Sequence, residues 1–229
     1  MIGDKKILAV TLARKGSSRI KDKNTSLVGE KRLICYTIDE VKKSKYIDKY
    51  IVSTNDPLVG IICSNSSVHV FNRNDKFAGD CSKSSDALIE VVLKHSEYDY
   101  VVEIMCTNPL KTIKDIDSCI EKLHTTGCDS IVSVVRVWDN HPSRVKYIEK
   151  DRLMDFYPEI PESRRQDLSP PAYVRNGSIY ATTKKSLLDT GLRLGKDTRP
   201  YIMPPKRTIN IDEPIDLLVA EQMLCRKRH

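Results

Sequence analysis

Apolar runs without polar alternation alternate along the chain with apolar positions at helical spacing. Ile7-Leu8-Ala9-Val10-Thr11-Leu12 is unbroken and rich in branched side chains, the pattern of a strand buried on both faces. Residues 50–53, 68–71, 99–105, 130–135 and 178–182 read as further strands. Between them, residues 33–43 place Ile34, Ile38 and Val41 on one helical face. Residues 84–95 align Leu88, Val91 and Val92, and residues 113–123 predict another helix. Pro57 opens a short helix at a position where the missing N–H is no loss. Residues 214–226 predict a closing helix that offers Leu217, Leu218, Ala220 and Met223 for packing. This rhythm predicts right-handed βαβ crossovers and an α/β fold with an open, mostly parallel sheet. It breaks after Val135. Residues 137–175 hold Trp138, five prolines from Pro142 to Pro171 and many charges, with 145–154 suited to a strand pair. They predict an arm inserted into a single domain spanning 1–229.

Composition narrows the class. A chain of 229 residues can bury a large core without staples. Hydrophobic residues at 40% and charged residues at 30% exclude a disordered chain. Seven scattered cysteines with no C-x-x-C pair read as reduced cytoplasmic thiols, and the five histidines lack metal-ligand spacing. No apolar run approaches the ~18 residues of a membrane span, and the N-terminal apolar stretch is too short for a signal peptide.

The net charge of +7 is unevenly placed. Residues 1–50 hold 13 Lys/Arg against 6 Asp/Glu, and the other 179 residues hold 25 of each. Aromatic residues make only 6% and do not interleave with basic ones. That argues against nucleic acid, despite the tail Arg226-Lys227-Arg228-His229, and for one localised anion site.

Residues 13–24, Ala-Arg-Lys-Gly-Ser-Ser-Arg-Ile-Lys-Asp-Lys-Asn, follow the first strand directly. Ligands of open α/β sheets bind past the carboxyl ends of strands. Gly16 and its neighbouring serines let backbone N–H groups approach phosphate oxygens, and five Lys/Arg supply charge. The loop is not a Walker A motif, since GxxxxGK[ST] is absent. Ile209-Asn210-Ile211-Asp212-Glu213-Pro214-Ile215-Asp216-Leu217 is the second feature. Asp212 at a strand-to-helix junction suits either a helix cap or a Mg²⁺ ligand, and Asp216 a first-turn helix charge.

Together these segments resemble the CMP-sialic acid synthetases, the acylneuraminate cytidylyltransferases. The loop matches that family's ARxGSxRxxxKN signature. Further segments follow in the family's order: 52–56, Arg73 with Ala78-Gly79-Asp80 and 82–87, 107–112 with Asp115-Ile116-Asp117, 164–168, 175–180 and 210–217. The resemblance implies a three-layer, Rossmann-like fold of the nucleotide-diphospho-sugar transferase type. It also implies that the anomeric hydroxyl of a nine-carbon 2-keto sugar acid attacks the α-phosphorus of CTP, giving a CMP-sugar and pyrophosphate.

By that resemblance Arg14, Lys23 and Asp212 are catalytic. Ala13, Arg14, Gly16, Ser17, Lys23, Asn24, Arg73 and Ser82 bind CTP. Met105, Arg165, Asn176 and Tyr180 line the sugar side, and Asp212 with Asn210 holds Mg²⁺ or Mn²⁺. The family's arm reaches across a two-fold axis, so a homodimer is expected, with Arg164 or Arg165 completing the partner's site. His141 before Pro142 reads as structural. Three departures bear on substrate. Asn210 stands where the family has aspartate, Met105-Cys106 replaces Gln-Pro, and Lys111 replaces arginine. Neuraminic, legionaminic and pseudaminic acids stay open, as do an octulosonic acid and a degenerate relative that binds nucleotide without turnover.

Overall fold

The computed structural model describes residues 1–79, 82–158 and 164–226. Asp80 of one family-like segment, and residues 227–229 of the basic tail, lie outside them. Eleven strands and six α-helices are described. In chain order they are β1 (Ile7–Leu12), β2 (Leu27–Val28), β3 (Lys31–Arg32), α1 (Leu33–Val41), β4 (Lys49–Thr54), α2 (Pro57–Asn65) and β5 (His69–Asn72). Next come α3 (Ser84–Leu93), β6 (Tyr100–Ile104), α4 (Ile113–Thr126), β7 (Ser130–Val137), β8 (Lys146–Glu149) and β9 (Arg152–Asp155). The series closes with β10 (Ala172–Thr183), α5 (Lys184–Thr190), β11 (Thr198–Ile202) and α6 (Pro214–Arg226).

Seven strands form one sheet in the order β11-β7-β10-β6-β1-β4-β5. All lie parallel except β10, which runs antiparallel to both β6 and β7. Alternation along β1 explains the layering. Ile7 and Ala9 pack toward α4, while Leu8 and Val10 pack toward α3 and Leu187 of α5. Ile34 and Ile38 of α1 and Val59 and Cys63 of α2 share a cluster with Val52 on the α4 side. Helices therefore cover both faces, which is the three-layer architecture. Five of the six β1 residues, 7 to 11, are buried, and Ile7, Leu8 and Val10 each contribute roughly 1.5–3 kcal/mol by burial.

Local caps set the helix starts. The Asp56 side chain accepts from the Leu58 N–H at 2.9 Å, with Pro57 in the first helical turn. Thr112 and Asp115 form a reciprocal capping box that opens α4.

The structure adds what the pattern did not predict. α5 and β11 lie in a stretch with no clear period, and β10 begins at Ala172 instead of 178. Residues 172–175, expected in the arm, pair with Val134–Val137 of β7 in the main sheet. The expected strand pair is the β8–β9 hairpin, a two-stranded sheet separate from the main one among the described residues. No helix among the described residues is long and apolar enough to cross a membrane.

Candidate active site

From β1 the chain proceeds outward to β4 and β5, then returns by α3 to β6 on the other side of β1. Strand order thus reverses between β1 and β6, and a crevice opens beyond their carboxyl ends. Leu12, Arg14, Asn24, Arg73, Ser82, Met105 and Cys106 are among the residues lining it.

Neighbouring strand ends brace the loop after β1. The Ala13 N–H donates to the Ser53 carbonyl at 2.9 Å, and Thr54 Oγ1 donates to the Ala13 carbonyl at 2.6 Å. Asn55 Oδ1 accepts from the Lys15 N–H at 2.9 Å. The 52–56 segment therefore holds the loop in place. Gly16 adopts φ +76°, a left-handed conformation strained for other residues, although space for a Cβ is open. Asn24 closes the loop: Nδ2 donates to the Arg14 carbonyl at 3.0 Å, and Oδ1 accepts from Cys106 Sγ at 3.0 Å. Arg14 Nη1 reaches the Ala78 carbonyl at 3.3 Å, and Ser82 Oγ donates to the Lys76 carbonyl at 3.0 Å. Arg73 is buried against Ser53, bonding its Oγ at 3.1 Å and its carbonyl at 2.8 Å. Burial pulls the Arg73 guanidinium down to about 10, still charged at neutral pH.

Lys23 joins the two segments singled out in the sequence. Its Nζ donates to the Ile211 carbonyl at 2.8 Å and to Asp212 Oδ1 at 2.9 Å. Asn210 Nδ2 donates to Asp212 Oδ2 at 2.5 Å. Asp216, and not Asp212, caps the start of α6: its Oδ2 accepts from the Asp212 and Glu213 N–H groups at 2.9 and 2.8 Å. The Asp212 carboxylate is thereby left facing Lys23 and Asn210. Lys111 fixes the segment after β6, its ammonium bonding Thr37 Oγ1 and the Met105 and Asn108 carbonyls at 2.6–2.7 Å. Burial pushes Lys111 down to about 7.

A second pocket adjoins the first. Asn176, Gly177, Tyr180, Arg193 and Asn210 are among its lining residues. The β10–β7 register shifts between Arg175 and Tyr180, and this irregularity carries Asn176 and Gly177 to the pocket. Asn176 is itself pinned, accepting from Ser133 Oγ at 2.6 Å and donating to Met203 Sδ at 3.1 Å. Met105 lines the first pocket and packs with Tyr180 of the second. Asn210 lines the second pocket and is linked through Asp212 to Lys23 of the basic loop.

Residues 8–188 match the family model described as Cytidylyltransferase. The chain belongs to the cytidylyltransferase family. It is 32% identical over 225 residues to N-acylneuraminate cytidylyltransferase A of Danio rerio, covering 96% of this chain and 51% of that protein. It is 29% identical over 230 residues to CMP-N,N'-diacetyllegionaminic acid synthase of Legionella pneumophila, covering 96% of each. The chain thus spans about half the length of the Danio rerio relative and nearly all of the Legionella one. Its fold matches a CMP:2-keto-3-deoxy-manno-octonic acid synthetase complexed with CTP, with TM-score 0.74, 18% identity, and 97% and 99% of the two chains covered.

Of the residues expected to bind nucleotide or sugar, Arg14, Asn24, Arg73, Ser82 and Met105 line the crevice, whereas Lys23 and Asp212 lie outside its lining, bonded to each other, and Asn210 lines the second pocket. Ala13 is fully buried with its N–H already bonded, and Gly16 and Ser17 lie on the loop outside the crevice lining. Asn176 and Tyr180 meet in the second pocket. Arg165 does not join them within one chain. It is exposed, lies 3.6 Å from Asp139 and has its guanidinium 5.5 Å from the Trp138 ring centroid. His141 is buried and bonded to Ser143 Oγ and the Pro170 carbonyl, as a structural histidine would be. Sequence reasoning missed Arg193 and its partner Glu103. A lone carboxylate inside the apolar run of β6 was the available signal, because a buried charge needs a partner.

Proposed function

We propose that this cytidylyltransferase joins CTP to a nine-carbon 2-keto sugar acid of the neuraminic or legionaminic type, giving a CMP-sugar and pyrophosphate. The Lys23 bridge carries the reading. It draws the basic loop and the 209–213 segment together, and Asn210 of that segment lines the second pocket. The names of the Danio rerio and Legionella relatives support the substrate class.

In this reading Arg14 and Lys23 neutralise the triphosphate and the charge that develops on departing pyrophosphate. Asn24, Arg73 and Ser82 surround the cytidine, and Met105, Asn176 and Tyr180 orient the sugar hydroxyl toward the α-phosphorus. Among the described residues no trio of His, Cys, Asp or Glu is placed to hold a metal. One carboxylate and one amide oxygen still fit Mg²⁺ or Mn²⁺, which often take one or two protein oxygens plus substrate phosphates. Asp212 and Asn210 Oδ1 would hold the ion, and a bound ion would act as a Lewis acid on the phosphates.

Two further expectations belong here. Six free cysteines among the described residues support a reducing, cytoplasmic setting. The exposed Ile148, Leu153, Met154, Phe156 and Tyr157 of the arm support a homodimer through it. Leu153→Glu is expected to shift sedimentation from dimer to monomer, and a monomer before substitution would contradict the dimer.

The activity is tested by pyrophosphate release from CTP with Mg²⁺ and a panel of neuraminic, legionaminic, pseudaminic and octulosonic acids. Release with at least one nine-carbon acid is expected. CTP binding with no release from any acid would favour a nucleotide-binding relative without turnover. Engagement of both Asp212 oxygens by Lys23 and Asn210 is the observation on that side.

A further inference from the structure

Two arginines pair with fully buried carboxylates, and the pairs differ in how completely they are satisfied. Asp115 is fully buried and saturated. It receives both Nε and Nη2 of Arg207, at 3.2 and 2.5 Å, together with the Tyr201 hydroxyl and the Thr112 cap. Such a pair holds structure together. Glu103 is also fully buried, but among the described residues it receives one hydrogen bond, from Arg193 Nη1 at 2.9 Å on Oε2, and its Oε1 finds no hydrogen-bond partner. Arg193 keeps a quarter of its side chain exposed and, like Arg175, lines both the second pocket and the adjoining one that includes Lys83.

The loop that carries Arg193 is built to hold it still. Gly191 ends α5 in the left-handed conformation. The Gly195 N–H donates to Ser130 Oγ at 3.0 Å, and the Asp197 N–H to Asp129 Oδ2 at 2.9 Å. A Cβ at Gly195 would lie 2.3 Å from Asp129 Cβ, so the loop seats against the β7 start only with glycine there. The guanidinium lies 4.3 Å from the Tyr180 ring centroid, and Leu194 packs into the Val132–Tyr180 cluster. Arg193 is thus oriented on one side by Glu103 and on the other by an aromatic face, with part of its fork open to a pocket.

We propose that Arg193 binds the carboxylate of the sugar acid in the second pocket, and that Glu103 is the positioning residue that aims it. This assignment rests on the sugar-acid reading above and gives carboxylate recognition to the loop after α5 instead of to the exposed Arg165. An arginine fork matches a planar carboxylate in two hydrogen bonds, and of the two arginines lining this pocket Arg193 is held by a buried carboxylate whereas Arg175 is exposed.

The test compares N-acetylneuraminic and N,N'-diacetyllegionaminic acids with their C1 carboxamides, by calorimetry in the presence of CMP. The unaltered protein is expected to prefer acid over amide by about 10- to 100-fold, the range of a charge-assisted hydrogen bond. Arg193→Gln is expected to erase most of that preference while the CTP affinity stays within about twofold. Because Arg193→Gln strands a buried carboxylate, the double variant Glu103→Gln with Arg193→Gln is measured beside it and is expected to show the same loss. Arg193→Lys is expected to restore part of the preference. Glu103→Gln alone, which frees Arg193 from its tether, is expected to lower the preference less than Arg193→Gln does.

An acid preference unchanged in the double variant would overturn the assignment, as would no binding of either acid by the unaltered protein. Pyrophosphate release by the unaltered protein reads the activity separately. Release that persists with an undiminished acid preference after Arg193 is replaced would sink this inference and leave the activity standing.

Discussion

The nucleotide side and the sugar side of the crevice are built differently. On the nucleotide side, side chains mostly bond backbone carbonyls: Asn24 to Arg14, Lys23 to Ile211, Arg73 to Ser53 and Lys111 to Met105 and Asn108. Backbone anchors fix the shape of a loop, and a triphosphate asks the same shape of every reaction that uses it. On the sugar side, the polar groups lean on other side chains: Asn176 on Ser133 and Met203, Asn210 on Asp212, Arg193 on Glu103 and Tyr180. Such contacts change one residue at a time, so this is where selectivity for one acid over another can drift without disturbing the loop.

The largest expected effect tests that division on the nucleotide side. Lys23→Ala should lower kcat/KM by ~10²–10³-fold, the range of a lost charge-stabilising donor, and by the same factor for every sugar acid that serves. Loss of its two hydrogen bonds should cost folding stability only about 1–2 kcal/mol, read from urea unfolding. A loss that varied strongly between acids would break the division, because it would place Lys23 on the sugar.

Met105→Gln is the converse case. It should shift the ratio of kcat/KM between neuraminic and legionaminic acids by about tenfold or less and leave the CTP KM alone, since a polar group would replace an apolar wall next to Tyr180. An altered CTP KM with an unaltered ratio would assign Met105 to the wrong side. Asn210→Asp stands at the junction. A second carboxylate beside Asp212 should lower the Mg²⁺ concentration for half-maximal rate several-fold, and an unchanged Mg²⁺ curve would remove position 210 from the metal site.

A separate effect concerns stability. The folded chain releases the Lys111 proton near pH 7, whereas an unfolded lysine holds it to about 10.5. The unfolded state therefore binds more protons across that interval, and stability should rise with pH from about 7 upward. Urea unfolding of Lys111→Met should lack this part of the rise, and parallel pH profiles would show that Lys111 stays charged in the fold.

Strands β1, β6 and β7 were legible because parallel strands buried on both faces are written as unbroken apolar runs, whereas the two-residue strands β2 and β3 were too short to carry a pattern. α5 and β11 were not, since Lys184–Thr190 is short and Thr198–Ile202 is an edge strand interrupted by Pro200. The start of β10 hid inside a proline-rich stretch, where tertiary pairing with β7 overrides weak local preference. Lys23, Asn24 and Asp212 were legible as contiguous motifs with an evident chemistry. The Glu103–Arg193 pair was not, because its members are 90 residues apart and only the fold brings the loop after α5 over β6.

The central claim is that a sugar hydroxyl held in the second pocket attacks the α-phosphorus of a CTP held in the first. It is tested most directly with a sugar acid carrying ¹⁸O at the anomeric oxygen, followed by ³¹P NMR of the products. The account predicts that the label stays in the oxygen bridging sugar and phosphorus of the CMP-sugar, with unlabelled pyrophosphate released in equal amount. Label absent from that bridge, or CTP bound and unchanged beside every acid of the panel, would contradict it.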